Sequence, residues 1–128
     1  MSQIHQEVRF AASPADVYAA LANEKTFAEW SGDPASISTA AGGTFSCFGP
    51  FIVGRHIELV PGHRIVQAWR VFNWPGGVYS LVRFEFQADG DGTRLIFDQD
   101  GVPADAVEHV SGGWHHKYWE PLRNYFES

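Results

Sequence analysis

The sequence predicts an α+β fold: a curved antiparallel sheet wrapped around one long C-terminal helix, with two short helices after the first strand. Three observations carry this. Residues 44–99 read as strands joined mostly by hairpin-type turns, and sequential hairpins build an antiparallel sheet. One face of that sheet is apolar and needs a cover. The last stretch, Pro103 to Ser128 (PADAVEHVSGGWHHKYWEPLRNYFES), is the one element long and apolar enough to provide it.

Residues 4–10 alternate, with Ile4, Gln6, Val8 and Phe10 on one face and His5, Glu7 and Arg9 on the other, as in a half-buried strand. Ser13-Pro14-Ala15-Asp16 then opens a helix. Ser13 serves as N-cap, Pro14 takes the first helical position and Asp16 supplies a capping-box-like acid. Val17, Tyr18 and Leu21 form its buried stripe, and Asn23 ends it. A second short helix, Thr26 to Trp30, is anchored by Phe27 and Trp30.

Gly42-Gly43 signals a turn, and Thr44 to Phe48 and Phe51 to Val60 read as strands split by Gly49-Pro50. Pro61-Gly62 turns the chain into a strand from His63 to Phe72, which the run Asn73-Trp74-Pro75-Gly76-Gly77 breaks. Val78 to Ala88 follows, with Val82, Phe84 and Phe86 inward. Asp89-Gly90-Asp91-Gly92 is a hairpin signal, and Thr93 to Gln99 returns with Leu95 and Phe97 inward.

In the final helix Val107, Val110, Trp114, Tyr118, Leu122 and Phe126 recur at three- and four-residue spacing, so they share one stripe. Two features disturb it. Gly112 and Gly113 each cost about 1 kcal/mol relative to Ala, and Pro121 removes a backbone donor and should tilt or kink the last turn. Packing, more than propensity, must hold this helix. The glycine pair marks where the helix either thins against the sheet or leaves room for a ligand, with Trp114 and Tyr118 beside that gap.

A chain of 128 residues fits a single domain, 1–128, with a core of its own. The net charge of −6 and the lack of a basic patch argue against nucleic acid and anionic membrane surfaces as partners. A single Cys47 allows no internal disulfide and fits a reducing, cytoplasmic setting. The first ten residues alternate and carry charge, unlike a signal peptide, and no apolar run approaches the roughly 20 residues of a membrane span. Aromatic residues make up 15% of the chain, more than a minimal core needs, which points to a cavity or an interface.

The candidate ligand-binding residues are Trp30, Phe45, Phe48, His56, Trp69, Phe72, Trp74, Tyr79, Trp114 and Tyr118, with Phe51 beside them. Trp74 stands out as a rim residue because it sits in a turn-rich break. Arg55, His56, Gln67, Ser80 and Gln99 are the polar groups that would orient a ligand, and alternation lets only one of Arg55 and His56 face inward. A metal site fails on spacing: His115 and His116 diverge by about 100°, and His109 and His116 stand about 10 Å apart. Cys47 reads as a small buried apolar residue, and Asp98 and Asp100 as solvated groups at a strand end. No catalytic grouping and no cofactor motif emerges.

The ordered set SPADVYAALANEKTFAEW, AGGTFSCFG, VGRHIELVPGHRIVQAWRVFNWPGG, DGTRLIFDQDGVP and GGWHHKYWEPLRNYF resembles the domain of activators of heat-shock protein 90 ATPase and their bacterial homologues. That family lies within the START-like (SRPBCC), or polyketide-cyclase-like, superfamily, and the resemblance covers nearly the whole chain. It implies a helix-grip fold and, in many relatives, a cavity between sheet and helix. Relatives include lipid carriers, hormone receptors, cyclases and co-chaperones, so the fold alone does not choose a function. The eukaryotic co-chaperones of this kind carry a separate N-terminal domain. Here Met1 leads straight into the first strand, an expectation that weighs against a co-chaperone.

Three functions fit, in descending order. The first is a non-catalytic domain holding a small hydrophobic or amphipathic molecule, such as a lipid. The second is an interaction domain that modulates a heat-shock protein 90 type ATPase. The third is a cyclase- or aromatase-type enzyme, which would need His56 or an Asp within reach of substrate. An exposed aromatic patch would also support a homodimer.

Overall fold

The structure is a computed structural model and describes residues 3–127; Met1 and Ser128, the two ends assigned to the domain, lie outside the described residues. Seven strands form one antiparallel sheet in the order β1-β7-β6-β5-β4-β3-β2. They are β1 (Gln3–Phe10), β2 (Ser36–Ile37), β3 (Thr44–Cys47), β4 (Ile52–Val60), β5 (Arg64–Val71), β6 (Ser80–Asp89) and β7 (Gly92–Asp100). β1 closes onto β7 with Val8 opposite Leu95, so first and last strands are neighbours. The two-residue β2 carries too little pattern to be read from sequence.

Helices α1 (Pro14–Ala22) and α2 (Glu24–Ser31) follow β1. Ser13 Oγ accepts from Asp16 N, with Pro14 at the start of α1. Asn23 ends α1 and caps α2, its Oδ1 accepting from Lys25 N and Thr26 N, so α2 begins two residues earlier than periodicity predicts. The buried stripe of α1 is Val17, Ala20 and Leu21. Tyr18 is only half-buried and meets Phe86 edge-on at 5.7 Å.

The C-terminal helix is not one continuous α-helix. A 3₁₀ turn at Ala104–Ala106 leads into α3 (Val107–Gly113), then a π-helical segment (Trp114–Trp119), then α4 (Glu120–Glu127). In the π segment Glu120 N donates to His115 O, five residues back. Such a segment inserts one residue into the turn and shifts the register of everything after it. Trp114, Tyr118 and Trp119 therefore all point into the core. Pro121, expected to kink the helix, follows at the return to α geometry, where the bonding ladder is already interrupted.

Two glutamines clamp this helix to the sheet. Gln6 on β1 accepts from Trp119 Nε1 at 2.6 Å and donates to Ser111 O at 3.1 Å. Gln99 on β7 accepts from Trp114 Nε1 at 2.8 Å and donates to Ser80 Oγ at 2.9 Å; Ser80 in turn donates to Trp69 O at 2.8 Å. Buried polar groups of this kind stabilise only when all are bonded.

Around the clamp lies an aromatic core. Trp114 stands 4.2 Å from both Phe97 and Tyr118, 5.2 Å from Trp69 and 5.8 Å from Phe84, between ring centroids. The outer sheet face carries a ladder of charges instead. His5, Asp98, Arg83 and Glu85 are linked across β1, β7 and β6, and Arg64 pairs with Glu58. Asp98 and Asp100 share this face, as alternation requires.

Candidate functional groove

The inner face of the sheet and the C-terminal helix do not close completely. A cavity of about 480 Å³ lies between them, at the end of the sheet where the β3–β4 hairpin meets the helix. Phe48, Phe51, Ile52, Trp69 and Val71 form its sheet side, and Val110, Gly112, Gly113, Trp114 and Tyr118 its helix side. The exposed Glu108, His109, His116 and Lys117 border it. A Cβ built on Gly112 or Gly113 would meet nothing within 4 Å, so the missing side chains are the space itself. The glycine pair that weakens the helix thus opens the cavity.

Phe48 is held in an unusual way. Its φ of 57° is costly for a bulky residue, and Gly49 follows with φ 66°. The strand read as reaching Phe48 accordingly stops at Cys47. The strain is offset by packing: the Phe48 ring meets Phe27 at 5.5 Å and Tyr118 at 5.4 Å. Phe48 is thereby carried from the hairpin onto the groove wall.

Of the ten candidate residues, Phe48, Trp69, Trp114 and Tyr118 line this cavity together. The others stand elsewhere. Trp74, expected at the rim, is buried edge-on to Trp69 at 5.8 Å. Arg70 makes this possible by donating to the carbonyls of Phe72, Trp74, Pro75 and Val78, which folds the break back on itself. Phe72 and Tyr79 face solvent, 56% and 50% exposed. Phe72 packs at a tilt against Phe51, and Tyr79 lies under the Arg70 guanidinium. Trp30 is core, its Nε1 donating to Ala20 O at 2.7 Å. Phe45 is core as well, its ring lying across Gly54, where any Cβ would collide with it and with Ala68 O.

The polar candidates divide similarly. Ser80 and Gln99, expected to orient a ligand, are consumed by the helix clamp. Arg55 points outward and donates to Gly42 O at 2.6 Å. His56 is therefore the inward member of the pair: 1% exposed, stacked on Phe45 at 5.3 Å and opposite Gln67. It does not line the groove. Neither of its ring nitrogens finds a well-formed hydrogen bond. Burial lowers its pKa below the usual imidazole range, with the Ser38 backbone pulling weakly the other way. Burial also pushes the Cys47 thiol up to about 12, which leaves it un-ionised and unreactive near neutrality.

Trp119 escaped the sequence reading although it is 1% exposed and packs on Trp114 at 5.6 Å. The five-residue step from Trp114 to Trp119, followed closely by Pro121, was the available signal, since five is the π-helical bonding step.

Two histidines set opposite pH dependences. His5 bonds Asp98 at 2.6 Å and Glu7 at 2.9 Å, which raises its pKa. Its contribution is complete below the unfolded value and lost as pH rises through the folded one. His56, with its pKa lowered, contributes above the unfolded value, and that contribution is lost as pH falls through the folded one. His5→Ala should therefore flatten the loss of stability above about pH 6.5, and His56→Phe the loss below it. Urea unfolding between pH 5 and 9 reads both slopes, and unchanged slopes would contradict the assignments.

A seven-stranded antiparallel sheet gripping one broken helix, with two short helices after β1 and an aromatic groove under the helix, is a START-like helix-grip domain. The chain belongs to the family described as Activator of Hsp90 ATPase homolog 1-like protein, whose model matches residues 11–127. It is 33% identical over 118 residues to the activator of 90 kDa heat shock protein ATPase homolog of Dictyostelium discoideum, covering 91% of this chain and 31% of that protein. It spans about a third of the length of the curated relatives it matches. Its fold matches the crystal structure of an HSP90 activator from Plasmodium falciparum with a TM-score of 0.93 at 23% identity, over 99% of this chain and 97% of that one. The Aha1 dimer from Colwellia psychrerythraea, solved in solution, matches with a TM-score of 0.83 at 19% identity, over 99% and 97% of the two chains. Among the described residues no helix is long and apolar enough to cross a membrane.

Proposed function

We propose that this chain is a non-catalytic binding domain that holds a small hydrophobic or amphipathic molecule in the groove between sheet and C-terminal helix. The observation that carries the reading is a cavity of about 480 Å³, within the usual range for small-molecule sites, walled by aromatic rings and opened by two glycines. A cytoplasmic setting agrees with the single free Cys47. Thermal unfolding against a panel of lipids and aromatic metabolites tests it. A ligand at a hundred times its dissociation constant adds about 2.7 kcal/mol of stability. A flat response across the panel, with no small molecule retained by the purified protein in native mass spectrometry, removes this reading.

The second reading is modulation of a heat-shock protein 90 type ATPase, and the family relationship supports it. Because the chain spans only part of those relatives, the test is direct. Adding the protein to a purified chaperone should raise its ATPase rate, and an unchanged rate without complex formation counts against this role. A homodimer has the support of the Colwellia relative and of the exposed Phe51 and Phe72.

A further inference from the structure

We infer that the groove takes a single-chain amphiphile tail first, with an anionic head group left at the mouth against Lys117. This rests on the proposed ligand-binding role and names the ligand class and its orientation at that site.

The inner wall decides the orientation. Phe48, Ile52, Trp69, Val71, Trp114 and Tyr118 form it, and their side-chain polar atoms are withdrawn from the space. Trp114 Nε1 is spent on Gln99. The Trp69 indole nitrogen is closed off from the groove, and the Tyr118 hydroxyl interacts with it. A charged head carried inward would lose its hydration with nothing in return, which is strongly unfavourable. An apolar chain meets only rings and aliphatic groups there, so the chain enters and the head stays in water.

The mouth decides the charge. Its ionisable groups, Glu108, His109, His116 and Lys117, all belong to the helix, while the sheet side presents the exposed Phe51. His116 is turned to Glu120 at 3.5 Å. Glu108 stands at the other end of the mouth, about 13 Å from Lys117 along the helix, which exceeds a Debye length at physiological salt. It therefore does not neutralise Lys117. The arginines of the sheet are committed: Arg9, Arg64, Arg83 and Arg94 hold carboxylates, and Arg55 and Arg70 hold backbone carbonyls. Among the described residues no carboxylate pairs with Lys117, whereas the other uncommitted cations, Lys25 and Arg123, do not line the groove. A lysine stem covers apolar surface while its ammonium stays in water, so an anionic head beside Lys117 gains a partner without being desolvated.

The test compares decanoate with decylammonium, two amphiphiles of one chain length and opposite charge, by isothermal titration calorimetry below their micelle concentrations. The wild type should prefer decanoate. Lys117→Glu should shift the decanoate-to-decylammonium affinity ratio by about tenfold toward decylammonium, because each exposed charge contact is worth a factor of about two to five and the reversal changes it for both ligands. Lys25→Glu makes the same charge change on α2, away from the groove, and should leave the ratio within about twofold of wild type. Lys117 and Lys25 are both exposed, so neither variant disturbs the core. A wild-type preference for decylammonium, a ratio unmoved by Lys117→Glu, or an equal shift from Lys25→Glu overturns the inference and leaves the groove reading standing. Binding of neither amphiphile overturns the groove reading and this inference together.

Discussion

Trp114→Ala is expected to destabilise the protein by roughly 3–5 kcal/mol from lost packing, as for other buried tryptophans truncated to alanine. Trp114 is 1% exposed and touches rings contributed by β5, β6, β7 and its own helix. It is also the donor at the head of the chain through Gln99 and Ser80 to the β5 backbone. The substitution leaves Gln99 Oε1 buried and unpaired, which costs about a further 1–3 kcal/mol. Small domains have about 5–15 kcal/mol in all, so the variant falls near the folding threshold. Trp114→Phe separates the two effects: it keeps most of the ring and loses the donor, and should cost less. Urea unfolding with an unchanged slope reads both. A loss under about 1 kcal/mol for the alanine variant would show that the helix is not held at this residue.

Gly113→Leu has the opposite character. It should abolish binding of any groove ligand while leaving the fold intact and more stable. Gly113 has helical angles, φ −61° and ψ −35°, so a larger residue meets no backbone strain. A Cβ there has open space around it, and the rest of the side chain extends into the cavity. Replacing Gly by Leu within a helix adds about 0.8 kcal/mol from propensity alone. Most substitutions that remove binding also weaken a protein, so a gain in stability with loss of binding would be hard to explain without a filled groove. Titration of a neutral fluorescent apolar probe such as 6-propionyl-2-dimethylaminonaphthalene, with thermal unfolding alongside, is the measurement. Binding unchanged in a stable variant would move the ligand site away from the helix.

Much of this was legible in the chain itself. The alternation of Val82, Phe84 and Phe86, and of Leu95 and Phe97, placed the inner sheet face residue by residue. The helical stripe from Val110 to Leu122 named its buried members apart from Trp119. The glycine pair pointed to the cavity, because two costly residues in one helix needed a reason. Where the sequence reading went astray, a longer-range partner had intervened. Trp74 sits in a stretch whose turns expose backbone, and only the reach of Arg70 across that loop buries it. Ser80 and Gln99 were suitable ligand groups by type, and only the helix docked above them shows that they are occupied. Strict alternation is also broken in β4, where the register shifts between His56 and Glu58 and leaves Ile57 exposed.

By itself the sequence determined the class of fold, the identity of the gripping helix and the aromatic character of its contacts. Those follow from periodicity and from the need to cover an apolar sheet, which are local and additive. The tertiary structure decided which aromatics face a cavity and which fill the core, whether His56 or Arg55 points inward, and which polar groups the helix clamp consumes. Each of these depends on groups brought together from distant parts of the chain: a π-helical insertion that turns Trp119 inward, a glutamine on β7 that takes the Trp114 donor, and an arginine on β5 that folds the loop over Trp74.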